Sequence, residues 1–197
     1  MSTASVTSRP GAVLADLLPA SRAKNAVDTA LVVGGAALTG IAAQIAVPVP
    51  GSPVPVSGQT FAALLVGTAL GARRGFLSLA LYALVGMAGM PWFAEGASGY
   101  AMPSFGYILG MLLAATVVGA LARRGADRSM LRTAGAMVLG SVIIYAVGVP
   151  YLALATGMSF SAAIAAGLVP FLIGDALKAA LAMGALPTAW KLIGRRG

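Results

Sequence analysis

The chain of 197 residues contains no cysteine and no histidine. Without cysteine there is no disulfide and no thiolate metal site. Without histidine, the commonest general base and metal ligand is missing as well. Acidic residues are also scarce: Asp16, Asp28, Glu95, Asp127 and Asp175 are the whole set. Five scattered carboxylates are too thin an inventory for most hydrolytic or redox sites. No GxxxxGK[ST], HExxH or GxSxG sequence occurs. Nucleotide hydrolysis by this chain, zinc-protease chemistry and α/β-hydrolase chemistry therefore find no support. An enzyme is not expected, nor a resident cofactor or a bound metal. Charged residues of both signs make up only 9% of the chain, against about 25% in a typical soluble domain.

What is present is apolar. Hydrophobic residues make up 59% of the chain, too many for a water-soluble fold to cover with polar groups, so the bilayer is the expected solvent. The 26 glycines and 11 prolines suit transmembrane helices and the loops that line cavities. The expected fold is an all-α integral membrane protein, a single bundle of six transmembrane helices with long extracellular loops folding over a ligand pocket. The spans are predicted near 26–46, 59–71, 76–90, 105–122, 131–154 and 170–193. The second is short for a crossing and needs burial in protein. Residues 1–25 read as a cytoplasmic tail whose "GAVLADLLPA" part rests against the membrane. The six-helix domain covers 26–193, and 194–197 form a basic cytoplasmic end. "PVPGSPVPVSGQ" reads as a loop or extended segment and "ARRG" at 72–75 as a tight turn. "TGMSFSAAIAAGLV" reads as a loop plus a short helix, capped by Ser159 or Ser161. Pro170 suits the first position of the last helix. No internal repeat suggests two inverted halves.

The net charge of +8 could suggest nucleic acid, but the positions of the cations argue for topology instead. Arg9, Arg22 and Lys24 precede the first span, Arg73 and Arg74 follow the second, and Arg123, Arg124, Arg128 and Arg132 follow the fourth. Lys191, Arg195 and Arg196 end the chain. Twelve of the thirteen cations thus fall on one side, and the loops 46–58, 90–105 and 155–169 carry none. Both termini are expected in the cytoplasm and those three loops outside.

The thirteenth cation is Lys178, in "PFLIGDALKAA". It shares a helix face with Asp175 at i, i+3. With a helix start near Pro170, the pair lies roughly 8–12 Å below the outer end. A charge near the bilayer centre costs about 2.5–3.5 kcal/mol, and such residues are functional candidates by default. An acceptor beside a donor suits an amide or cyclic urea. The alternative is an internal ion pair that locks helices together. A second candidate is the Gly-rich aromatic loop "MPWFAEGASGYAMPSFGY", which can fold over a cavity or supply an aromatic belt. Gln59 and Ser57 could cap and pack the second span or reach the same pocket, and the Pro-rich loop before Gln59 favours the pocket for it. Small residues at four-residue spacing mark the first span, among them Ala30/Gly34, Gly35/Thr39/Ala43 and Ala36/Gly40. They suit internal packing or docking onto a partner. Gly67/Gly71 and Gly106/Gly110 repeat the spacing.

"VPVPGSPVPVSGQTFAALLVGTALGARRGFLSLALYALVGMAGMPWFA", "PSFGYILG", "IYAVGVPYLA" and "PFLIGDALKAALA" resemble, in order and over about residues 26–190, the BioY family. These are the biotin-binding S components of energy-coupling factor (ECF) transporters. The resemblance implies a six-helix protein of the bacterial cell membrane that captures biotin from outside with high affinity. Its implied partners are a transmembrane T component and a pair of ABC-type ATPases that topple the S component. Some members are thought to work without the ATPases, which leaves a solitary homo-oligomer open. Asp175 and Lys178 match the family's "GDxxKA" pair and would hold polar atoms of biotin, with Gln59 and Tyr107 in the same pocket. Trp92, Phe93, Glu95 and Ser98 fall in the ligand-covering loop. That loop departs from the family in carrying Glu95 where a neutral polar residue or glycine is expected. It also has no Arg or Lys for the biotin carboxylate, so the backbone N–H groups of Gly96–Gly99 are the expected substitute. The first helix, through Gly35, Ala36, Thr39, Gly40 and Ala43, would meet the T component. An S component for another vitamin, or a membrane scaffold with no small ligand, are the alternative readings.

Overall fold

A computed structural model describes residues 11–17 and 23–194. Arg9, Arg22, Arg195 and Arg196 lie outside the described residues, as does much of the 1–25 tail. Among the described residues there are seven α-helices: α1 Lys24–Ala43, α2 Gln59–Leu70, α3 Ala72–Met87, α4 Phe105–Arg123, α5 Met130–Thr156, α6 Phe160–Gly167 and α7 Leu172–Gly194. Among the described residues, α1, α4, α5 and the near-continuous run through α6 and α7 are long and apolar enough to cross a membrane. Many of their large apolar side chains, such as Ile41, Leu131, Leu154 and Ile173, stand on the surface. That pattern fits a lipid-facing wall and not a water-facing one.

The helix α2 has only 12 residues, about 18 Å at 1.5 Å per residue, against a hydrocarbon core of about 30 Å. It survives because it is enclosed by protein: Gln59, Ala62, Ala63, Leu64, Val66, Gly67 and Thr68 are buried. Glycine permits this close packing. A Cβ on Gly67 would lie 2.6 Å from the Ala115 Cα, and one on Gly119 would lie 2.5 Å from the Ala72 nitrogen. In α4, Gly106 meets Tyr151 and Gly110 meets the Ile144 backbone. These glycines serve contact between helices of one chain.

Two local expectations change and a third is refined. The residues 72–75 form the first turn of α3, not a turn of their own, because Gly71 at φ +83° reverses the chain alone. The segment 46–58 is a hairpin: Ala46–Val47 (β1) pairs antiparallel with Val56–Ser57 (β2). Pro170 sits in a 3-10 turn, Val169–Phe171, ahead of α7. The short helix α6 matches its expectation, and Ser159 is its cap, accepting from the Ala162 N–H at 3.3 Å.

The part of the tail at 11–17 packs on protein. Val13 is fully buried, and Leu14–Leu17 forms a 3-10 turn. The Asp16 carboxylate is bound by Arg74 of α3 at 2.8 Å and Arg123 of α4 at 3.4 Å, while Arg74 also reaches Asp28 of α1 at 2.7 Å. Arg128 donates to the Ala12 carbonyl at 3.2 Å. Residues 11–17 thus form a clasp over the cationic end of the bundle. Nearby, the Trp190 indole donates to buried Asp127 at 2.6 Å, and Arg128 stacks over its ring. This ties the far end of α7 to the α4–α5 turn.

Burial alone would raise the Asp16 pKa, but the Arg74 hydrogen bond, the Val13 N–H and the nearby guanidinium charges outweigh it and hold the carboxyl below its ordinary 3.8. A carboxyl with a lowered native pKa adds stability that is complete above its unfolded value and lost as pH falls through the native one. Asp16→Asn should therefore lower the melting temperature at neutral pH. The gap from wild type should close as the pH is taken from about 5 toward 3. Paired melting curves check this; a gap constant over that range would show that Asp16 contributes through packing alone.

Candidate functional site

At the end opposite the arginines, seven parts of the chain converge on a narrow cavity of about 40 Å³. The hairpin supplies Val54, Pro55 and Ser57, and the first turn of α2 supplies Gln59 and Thr60. Tyr107, Ile108 and Met111 come from α4, and Phe93, Ala94, Met102 and Ser104 from the loop before it. Tyr145 of α5, Phe171, and Asp175 and Lys178 of α7 close the far side.

The charged pair is real and enclosed. Lys178 Nζ lies 3.4 Å from Asp175 Oδ1, with the two side chains 18% and 14% exposed. Each charge has a second partner from another helix: Lys178 donates to Thr60 Oγ1 at 2.8 Å, and the Tyr145 hydroxyl donates to Asp175 Oδ2. Pairing and hydrogen bonding offset the cost of holding two charges at this depth. One carboxylate and one ammonium thus sit side by side on the cavity wall. Lys178 is the single cation among the lining residues.

Around the pair stands an aromatic wall. Tyr107 stacks on Phe171 at 6.4 Å between centroids and meets Tyr145 edge-on at 6.3 Å. Its hydroxyl donates to the Gly167 carbonyl at 2.8 Å, which fixes the ring and leaves its face to the cavity. The buried Gln59 amide reaches only the Met111 sulfur, at 3.7 Å, so it retains hydrogen-bonding capacity.

The covering loop divides in an unexpected way. Phe93 is buried and lines the cavity, packed against Gly86. Trp92 turns away and anchors the loop instead. Its indole donates to the Tyr82 carbonyl at 3.0 Å, and its ring lies over Gly40. Gln44 holds the Trp92 and Phe93 carbonyls at 3.0 and 3.2 Å. Glu95 and Ser98 are exposed and do not line the cavity. The N–H groups of Gly96, Ala97 and Gly99 are already spent on the carbonyls of Phe93, Ala94 and Gly86. They are therefore committed to the loop's own fold, not to a carboxylate.

Glu95 also sits at φ +61°, the one described non-glycine residue with a left-handed backbone. That conformation costs a residue with a Cβ about 1–2 kcal/mol. Glu95→Gly should leave ligand affinity unchanged and raise stability by about 1 kcal/mol or less. A melting curve with a binding isotherm tests this, and a clear loss of affinity would return Glu95 to the site.

The first-helix residues Gly35, Ala36, Thr39, Gly40 and Ala43 are all buried inside the bundle. A Cβ on Gly35 would meet Ser78 and Val66, and the Thr39 hydroxyl is satisfied by the Gly35 carbonyl at 2.9 Å. Of the two uses open to them, this structure shows internal packing. On the same helix, Ala30 and Gly34 are exposed.

The family model described as the BioY family matches residues 15–195. The chain belongs to the BioY family. Among relatives, it is 33% identical over 140 residues to a biotin transporter BioY of Rhizobium etli, covering 66% of this chain and 74% of that one. With a biotin transporter BioY of Thermotoga maritima it shares 35% over 162 residues, 81% of this chain and 89% of the relative. A probable biotin transporter BioY of Pyrococcus horikoshii matches at 35% over 161 residues, with 80% and 93% covered. The fold is that of a solved S component for biotin from an ECF-type ABC transporter, with TM-score 0.77 over 88% of this chain and 95% of that chain, at 20% identity. The chain is thus a multi-pass membrane protein, in a family of transporters and not of enzymes.

Thr60, Met111, Tyr145 and Phe171 also line this cavity, although nothing in the sequence had singled them out. Thr60 lies 118 positions from its Lys178 partner, and Tyr145 lies 30 positions from Asp175. No local spacing rule joins them. Only the apolar setting of Tyr145 in "IYAVGVPYLA" marked its hydroxyl as one that needs a partner.

Proposed function

We propose that this BioY protein captures biotin from outside the cell and serves as the biotin-specific S component of a vitamin transporter. The observation that carries this reading is the Asp175–Lys178 pair on the wall of a roofed cavity, at the end opposite the arginines. The carboxylate accepts from a ureido N–H, the ammonium donates to the ureido carbonyl, and the aromatic faces of Tyr107 and Phe171 flank the bicyclic ring. Gln59 adds a free amide. Small-ligand pockets run to about 300–1,000 Å³, so a cavity of about 40 Å³ must widen to admit biotin. The loop 88–104, which brings Phe93 and Met102, is the wall that lifts.

In this arrangement α1–α5 and α7 make six crossings, with α2 inside the bundle and both termini in the cytoplasm. The cations then lie where the positive-inside rule puts them. A T component, itself served by a pair of cytoplasmic ATPases, would dock on the lipid-facing side of α1, around Ala30 and Gly34, where small residues allow close helix approach. The test is uptake of labelled biotin by cells that lack their own biotin transport, with and without a co-expressed energising module. Uptake above background that excess unlabelled biotin abolishes supports the proposal. Failure to take up or bind biotin in both settings would overturn it.

A further inference from the structure

A second cavity, of about 570 Å³, lies between α5, α6 and α7. Along α5 it runs from Met137 to Pro150, which is about 20 Å at 1.5 Å per residue. Half of a bilayer's hydrocarbon core is about 15 Å. The volume falls within the range of small-molecule sites, about 300–1,000 Å³. Its rim residues Val138, Val142, Leu172 and Phe160 are between 51% and 59% exposed. The lining is apolar except for Ser141, Tyr145 and Asp175. Helix α6 crosses one end through Phe160 and Ile164, with Leu168 just beyond it. The crevice is thus a slot in a wall of spanning helices; on α5 it is centred near the middle of the helix and is longer than one leaflet is deep.

We propose that this crevice is a binding site for a single lipid acyl chain from the surrounding bilayer. At this depth the mouth opens onto hydrocarbon, so the medium that fills an apolar slot is an alkyl chain, not water. A slot of this length accepts one chain lengthwise. Tyr145 and Asp175 line both this crevice and the biotin cavity. A bound chain therefore covers the back of the Tyr145–Asp175 contact and keeps water from reaching it from the lipid side. The proposal does not depend on the identity of the ligand in the other cavity.

The experiment uses the full chain in nanodiscs containing phosphatidylglycerol with a photoreactive diazirine in its acyl chain, followed by mass-spectrometric mapping of the labelled peptides. Labelling should concentrate on 137–150 and 172–179, several-fold above that on the exposed α1 residues Val33, Leu38 and Ile41. Ala146→Trp, which fills the slot, should cut crevice labelling several-fold and leave α1 labelling unchanged. Ala146→Leu serves as a smaller plug should the tryptophan variant misfold. Equal labelling of α1 and the crevice, or labelling indifferent to both plugs, would overturn the proposal. So would crosslinks from the crevice to a second copy of the chain. So would crevice labelling by a biotin photoprobe that competes with the lipid, since the slot would then hold the ligand's own tail.

Discussion

Lys178→Ala is expected to weaken biotin binding by roughly ten- to hundred-fold, the loss of a hydrogen bond to a charged group worth about 1.5–3 kcal/mol. The change removes the one ammonium on the cavity wall and leaves Asp175 enclosed without its cation, at 14% side-chain exposure. Breaking a buried pair can destabilise by about 3–5 kcal/mol, so the melting temperature must be followed beside the isotherm. Asp175→Asn keeps the shape and removes the anion, and a loss of similar size is expected. Tyr145→Phe, which removes only the hydroxyl that binds Asp175, should cost about 0.5–1.5 kcal/mol, or up to roughly ten-fold in affinity. Ser98→Ala should change nothing, because Ser98 is exposed and outside the cavity. If Lys178→Ala and Asp175→Asn both bind as wild type does, the pair is a staple between helices and the ligand lies elsewhere.

The largest effect on folding is expected from Gly67→Val. A side chain there would run into the Ala115 backbone on α4, with the Ala115 Cα 2.6 Å from the new Cβ. On the other side, Gly75 of α3 packs so closely that its own added Cβ would lie 2.9 Å from the Gly67 Cα. Backbone cannot swing aside as a flexible side chain can, so the three helices α2, α3 and α4 must separate. Overpacking of this kind typically costs about 1–3 kcal/mol and occasionally more; the upper end or beyond is expected here. Gly135→Ala on α5 is the control, since nothing lies within 4 Å of the new Cβ. It should be neutral or stabilising by up to about 1 kcal/mol, as alanine favours a helix over glycine. Thermal melting in detergent compares the two. A Gly67→Val protein as stable as wild type would mean that α2 is not enclosed as described.

The long crossings were legible because a run of about 20 apolar residues has few other uses. The Asp175–Lys178 pair was legible because i, i+3 spacing on a helix fixes a shared face regardless of tertiary context. Loops carry no such rule. Trp92, Phe93, Glu95 and Ser98 looked alike as loop residues, yet only Phe93 reaches the cavity, because side-chain direction there depends on Gly96 and Gly99 and on anchors such as Tyr82 and Gln44. The small residues of α1 showed that something packs closely on them but not whether it is another chain. It is Ser78 and Val66 of the same chain, together with Trp92. Thr60 and Tyr145 stayed hidden because their partners are set by the packing of α2 and α5 on α7, a relation that no sequence interval encodes.

The most direct measurement is equilibrium binding of labelled biotin to the purified full-length chain in nanodiscs, with riboflavin and thiamine as competitors. Saturable biotin binding that neither competitor displaces, and that falls at least ten-fold in Lys178→Ala while the protein stays folded, is the expected result. Absence of such binding, or displacement by riboflavin or thiamine, would contradict a biotin site built on Asp175 and Lys178.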